Sequence, residues 1–159
     1  MVSSRLVKRG ASGPGGVASS ADGCRLTKSA NQTIASAASA AITFDGEAFD
    51  RGGYHDNATN NSRITIPTGR DGVHLFGAAH QWDADSYGIY WFKLNGTTDI
   101  PGGDRKTQDL TGGQTFTALD LAAGDYVEYW VSNSGADDAV RGGSGSSVYA
   151  SFWCVRIGS

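Results

Sequence analysis

Apolar and polar positions alternate along this chain in short bursts, with the period of two that an extended strand imposes on its side chains. The bursts fall at about 24–28, 38–44, 47–51, 63–67, 72–81, 87–95, 114–121, 124–133 and 147–157, and they predict about ten strands. Between them lie "DRGGYHDNATNN", "PTGRDG", "LNGTTDIPGGDR", "LAAGD" and "NSGADDAVRGGSGSS", which supply Gly and Asn where a turn needs positive φ. The only helical candidate, "SANQTIASAASAAI", has alanine in its favour but lacks a wide apolar stripe and runs into the alternating "ITFDGEAF". No fixed-period repeat stands out, which argues against propellers and solenoids. The pattern predicts an all-β sandwich.

Three strands are apolar on both faces. In "GIYWFKLNG", Tyr90, Phe92 and Leu94 oppose Ile89 and Trp91. In "GDYVEYWVS", Val127, Tyr129 and Val131 oppose Tyr126 and Trp130. In "VYASFWCVRI", Tyr149, Trp153, Val155 and Ile157 oppose Phe152 and Cys154. One face fills the sandwich core. The aromatic residues of the other need a second burial surface, and a neighbouring subunit is the expected one.

The charge is unevenly placed. Arg5, Lys8, Arg9, Arg25 and Lys28 against Asp22 leave +4 on residues 1–28, so the rest of a chain of net charge −3 carries −7. Residues 1–23, rich in Gly, Ser and Ala, read as a flexible basic arm, and residues 24–159 as one folded domain. So few charges spread among small residues bind phosphate weakly, which argues against nucleic acid as the partner. In "MVSSRLVKRGASGPGG" only Leu6 and Val7 stand where an export signal needs an apolar core, and no stretch approaches the ~20 apolar residues of a membrane span.

Candidate chemistry is sparse. His74 and His80 share one strand face but lie about 20 Å apart, too far for one metal ion. No nucleophile elbow or phosphate-binding loop is present: "GGSGSS" around Ser144 has the wrong spacing. Asp83 and Asp85, flanked by Trp82 and Tyr87, form a candidate ligand-binding set for a glycan. The same carboxylates, or Asp137 and Asp138, are the candidate oxygen ligands for calcium. Cys24 and Cys154 read as small buried hydrophobes, with a disulfide between the first and last strands as the alternative. The sequons at Asn31, Asn57, Asn60 and Asn95 read as turn residues.

The order of segments resembles the jelly-roll domain of the complement globular head and the tumour-necrosis-factor ligands. "ITFDGEAFDRGGYHD" leads into "NSRITIPTGRDGVHLFGAAHQW" with its P-x-G-x-x-G turn. "GIYWFKLNG", the segment with Gly124, Asp125, Val127 and Tyr129, and the closing "SSVYASFWCVRIG" follow. The phrasing is most similar to versions in bacteriophage virion proteins, in head decorations, head fibres and tail tips. The resemblance implies an all-β jelly-roll sandwich of about ten antiparallel strands that assembles as a homotrimer and is not an enzyme. Trp91, Trp130, Trp153, Tyr126 and Phe152 are then the expected trimer interface, and Arg5, Lys8 and Arg9 the virion attachment. The expected partners are capsid or tail proteins, with a host-surface glycan as a further one. The expected location is the virion, after synthesis in the host cytoplasm.

Overall fold

The computed structural model describes residues 22–84, 86–100, 105–107, 112–143 and 147–158. Among them are thirteen strands and no helix: β1 (Gly23–Thr27), β2 (Gln32–Ile34), β3 (Ser39–Ala41), β4 (Gly46–Arg51), β5 (Arg63–Thr65), β6 (Gly72–Gln81), β7 (Gly88–Leu94), β8 (Thr98–Asp99), β9 (Arg105–Thr107), β10 (Gly112–Leu121), β11 (Tyr126–Ser132), β12 (Asp138–Val140) and β13 (Ser151–Arg156). Every strand pairing among the described residues is antiparallel. The first sheet has the order β10-β6-β13-β1-β4. The second has β3-β11-β7-β8, with β5 also on β11 and β9 also on β7, and β12 and β2 form a separate ribbon.

The two sheets bury their inner faces against each other, and the period-two pattern decides which residues go there. The first sheet contributes Cys24, Leu26, His74, Phe76, Ala78, His80, Phe152 and Cys154. The second contributes Ile64, Tyr90, Phe92, Val127, Tyr129 and Val131. Rings interlock across the gap: Phe92 stacks on Phe152 with centroids 5.8 Å apart and meets Phe76 at 6.4 Å, while Tyr129 meets Phe152 at 6.4 Å. The alanine-rich stretch, weighed as the one helical candidate and set aside for want of an apolar stripe, provides β2 and β3, the latter within the strand read at 38–44. Its Ile34 and Ile42 are buried while the alanines between are half-buried or exposed, so no helical stripe exists to hold a helix in place.

Turn chemistry fixes one end of the sandwich. Asn95 and Gly96 both have positive φ (51° and 69°), and Thr97 N donates to Leu94 O at 3.1 Å, closing the tight Asn-Gly hairpin between β7 and β8. Asn95 then clamps the next turn, its Nδ2 donating to Asp125 Oδ1 and its Oδ1 accepting from Tyr126 N, both at 2.9 Å. Asp125 also accepts from Ala122 N. The Asn95 amide and the Ala122 amide hold the Asp125 carboxyl below its usual range. The Gly124–Asp125 landmark is therefore a brace between the β7–β8 hairpin and the turn that carries the chain from β10 in one sheet to β11 in the other.

The register gives the domain two poles. Gly23, Arg51, Gly72 and Arg156 lie at one end of the first sheet, and the turns at 95–97 and 122–125 join them there. Thr27, Gln81 and Ser151 lie at the other end, with the segments 82–87 and 133–143. The ten residues of β6 set the poles roughly 30 Å apart.

Candidate assembly faces and distal loops

The outward aromatics of the second sheet are tied up within the chain. Trp91 and Trp130 are direct cross-strand partners and stack at 6.1 Å. Trp91 Nε1 donates to Asp99 at 2.9 Å and Trp130 Nε1 to Glu128 at 3.1 Å, so both indoles have their polar atom satisfied. Lys93 Nζ sits 4.6 Å above the Trp130 ring and 3.3 Å from Asp99, and the Arg63 guanidinium lies 4.3 Å above the Tyr126 ring. Arg63, Glu128, Lys93 and Asp99 form one row across four strands with alternating sign. Such cation–π and cross-strand pairs stabilise the face as it stands, by roughly 0.5–1 kcal/mol each where exposed. These neighbours leave Trp91, Trp130 and Tyr126 half-buried.

The outer face of the first sheet is different. Phe116, on the ten-residue edge strand β10, is 75% exposed, and Phe49, on the opposite edge strand β4, is 38% exposed. Phe116, Gly77, Trp153, Arg25 and Phe49 are register partners in one row across all five strands. Beside it runs a second row with Ala118, Leu75 and Val155. The Trp153 indole lies over Gly77, where a Cβ would come within 2.1 Å of the ring. Arg25, Phe49, Ser151, Trp153 and Val155 line a groove of about 260 Å³, and the Arg51 guanidinium lies 5.6 Å from the Phe49 centroid. Among the described residues this face combines the exposed Phe116 and Phe49 with the two strands that end the sheet, a kind of surface that natural sheets normally cover.

The five residues expected to form one interface therefore separate. Trp153 lies on the outer face of the first sheet, and Trp91, Trp130 and Tyr126 lie on the outer face of the second. Phe152 is fully buried in the core, because residues adjacent on a strand point to opposite faces and Trp153 takes the outward position. Phe116 and Phe49 were missed. The signal was present in "QTFTALDL", where the lone aromatic falls on the same parity as Gln114 and Asp120 and hence outward.

At the distal pole the candidate ligand set is not assembled as expected. Trp82 is buried, packed edge-on against His80 with centroids 5.3 Å apart and bridged to Val140, so no ligand can stack on it. Its place in the core follows from parity, since it continues the inward series of His74, Phe76, Ala78 and His80. Asp83 is exposed and pairs with Arg141 at 3.3 Å, and the Arg141 guanidinium lies 4.2 Å over Tyr149. Tyr87 is 48% exposed, and Asp85 lies outside the described residues. Asp137 accepts from Ser36 N and Asp138 from Ala84 N, so the carboxylates considered for calcium brace loop backbone.

The attachment residues Arg5, Lys8 and Arg9 also lie outside the described residues. The first described residue, Asp22, is held at the proximal pole: Arg156 N donates to its carbonyl at 3.0 Å and Arg70 lies 3.5 Å from its carboxylate. Both histidines of β6 face the core. His74 Nδ1 is 2.9 Å from Gly72 O, and His80 Nδ1 is 2.7 Å from the Tyr129 hydroxyl. Burial pushes the His80 pKa down to about 4. These rings are enclosed packing elements.

Two antiparallel sheets with this strand order define a jelly roll of the tumour-necrosis-factor and complement C1q type. Solved structures with the same fold include the globular domain of zebrafish complement 1qA protein (14% identity, TM-score 0.60, covering 87% of this chain and 98% of that one). Murine APRIL has 9% identity and a TM-score of 0.59, covering 87% of this chain and 100% of that one. The PRD1 vertex protein P5 has 14% identity and a TM-score of 0.60, covering 86% and 97%. Neither a protein-family model nor a curated protein matches the sequence.

Proposed function

We propose that this chain is a bacteriophage virion structural protein: a homotrimeric jelly roll without enzymatic activity, fixed to the capsid through its N-terminal arm. The observation that carries the reading is the asymmetry of the two outer faces. The second sheet engages its outward aromatics with its own side chains, whereas the first carries exposed Phe116 and Phe49 on its two edge strands, either side of a half-buried Trp153. Copies pack through that face, edge strand β10 against the sheet of a neighbour. Likeness to the PRD1 vertex protein P5, a phage protein, supports the virion setting. Asp22, which the basic arm precedes in sequence, lies at the proximal pole; with the arm as anchor, the opposite pole would point away from the shell and serve host-surface adhesion.

A second reading is a tail-fibre or baseplate module recognising a host cell-surface glycan. It is favoured by the exposed Tyr87 and the Arg141–Tyr149 pair, both at that distal pole.

The test is native mass spectrometry of the purified chain, followed by particle incorporation. A trimer is expected, and Phe116→Glu, which sets a charge on the packed edge, should reduce it to monomer. A wild-type monomer at micromolar concentration overturns the assembly. Deleting residues 2–20 should leave the trimer intact but exclude it from particles, and charge reversal at Arg5, Lys8 and Arg9 should weaken incorporation most at low salt. Normal uptake of the deleted protein overturns the role of the arm. Hundreds of copies per particle fit shell decoration, and a handful fits the tail or a vertex.

A further inference from the structure

Cys24 and Cys154 occupy directly opposed positions on β1 and β13, both wholly buried, with their sulfurs 3.9 Å apart. Opposed residues of an antiparallel pair have Cα atoms about 4.5–5.5 Å apart, inside the ~4.4–6.8 Å that a disulfide spans. The sulfurs need approach by only about 2 Å, which a side-chain rotation supplies without shifting either strand. No other cysteine is present to compete. We propose that this pair is an oxidative cross-link site, reduced when the chain folds and closed into a Cys24–Cys154 disulfide by a low-molecular-weight disulfide once the protein meets an oxidising medium.

The chemistry balances as two exchanges. One thiolate attacks the external disulfide, forming a mixed disulfide and releasing one small thiol. The second protein thiolate attacks the protein sulfur of that mixed disulfide, forming the Cys24–Cys154 bond and releasing the second small thiol. The two protein thiols are oxidised, the external disulfide is reduced, and the two protons end on the released thiols. In the closed fold the reaction is slow. The hydrogen bond with Cys154 and burial both push the Cys24 thiol up, and β1 is covered on one side by β13 and on the other by β4. Because β4 is the sheet edge, its fraying is the opening that admits the reagent. The bond then joins positions 130 apart in sequence and removes conformations from the unfolded chain.

The experiment incubates the full-length reduced chain with glutathione disulfide, in buffer and in urea just below the unfolding transition. It then unfolds the chain with iodoacetamide present and weighs it intact. The expected product has no alkylated cysteine, a mass lower by about 2 Da for the two lost hydrogens, and a peptide linking Cys24 to Cys154. Its melting temperature should rise by roughly 8–16 °C over the reduced chain, the scale for a loop of this length in a domain of this size. Cys154→Ser should show neither change. Two alkylatable thiols after incubation in sub-transition urea, stable mixed disulfides, intermolecular dimers, or a linked chain that melts lower than the reduced one would each overturn the assignment.

Discussion

Replacing Gly77 by alanine tests whether Trp153 is seated as the structure has it. The added Cβ would lie 2.1 Å from Cζ2 and 2.3 Å from Cε2 of the indole, against the ~3.5–4 Å of a normal carbon contact, so the ring must lift by about 1.5 Å or swing away. Crowding of this kind costs about 1–3 kcal/mol. The substitution also restricts the unfolded chain, a gain of about 0.4–1 kcal/mol that the clash must exceed. Gly77 is not in the positive-φ set, so no backbone strain offsets the result. The net expectation is a fall in melting temperature of a few degrees, together with weaker self-association, because the lifted ring no longer presents a flat patch. Calorimetry measures the first, sedimentation velocity over a concentration series the second. An unchanged melting temperature and near-ultraviolet circular dichroism would refute the seating of Trp153 on Gly77. An altered spectrum with unchanged association would refute the use of this face in assembly.

Further outcomes follow from the same geometry. Phe92→Ala removes a fully buried ring that meets Phe76, Tyr129 and Phe152, and should cost about 3–5 kcal/mol in urea unfolding, whereas a loss below about 1 kcal/mol would contradict its central place. His80, with its folded pKa near 4 against 6.5 unfolded, binds fewer protons folded than unfolded between those values. Its neutral form is stable above pH 6.5, and about 3 kcal/mol is lost progressively as pH falls from 6.5 to 4. His80→Asn should flatten that part of a denaturant-midpoint against pH curve, and an equal slope would exclude His80 as its source. Trp130→Ala should leave the oligomeric state unchanged, since the second-sheet face is complete within one chain, and dissociation by that variant, seen by native mass spectrometry, would reverse the assignment of faces.

The long strands were legible because parity repeats along them. The reading of 72–81 coincides with β6, and the inward series Tyr90, Phe92, Val127, Tyr129 and Val131 is buried as the alternation requires. Leu94, set in the same series, is only half-buried at the proximal end of β7. The strands β2, β8, β9 and β12, two or three residues each, were not read, because so short a segment carries no period and forms only where a neighbour offers a ladder. The assembly face was half legible. Trp153 and Phe152 were both expected at the interface although parity sets them on opposite faces, and which outer face needs a partner depends on who satisfies the indole N–H groups. Asp99 reaches Trp91 from β8 through strand pairing, which a linear sequence does not display, whereas Glu128 stands two residues before Trp130 on β11 and shares its face by parity. Trp82 was misread for a related reason: beside Asp83 it looked like a loop aromatic, whereas it is the last inward residue in the series of β6.

The attachment of β1 between two neighbours has a mechanical consequence under the proposed anchoring through the N-terminal arm. Tension entering at Asp22 pulls along the strand axis, at right angles to the ladder bonds that join β1 to β13 and to β4 over five register pairs on each side. Loaded this way the bonds share the force and must fail together, in shear, whereas a strand pulled sideways from its end would unzip bond by bond. The Arg70–Asp22 ion pair and the Arg156 amide on the Asp22 carbonyl take the first of the strain. Anchored that way, the sandwich would turn its weakest direction away from the pull, and repeated tugging on a suspended particle would load its strongest one.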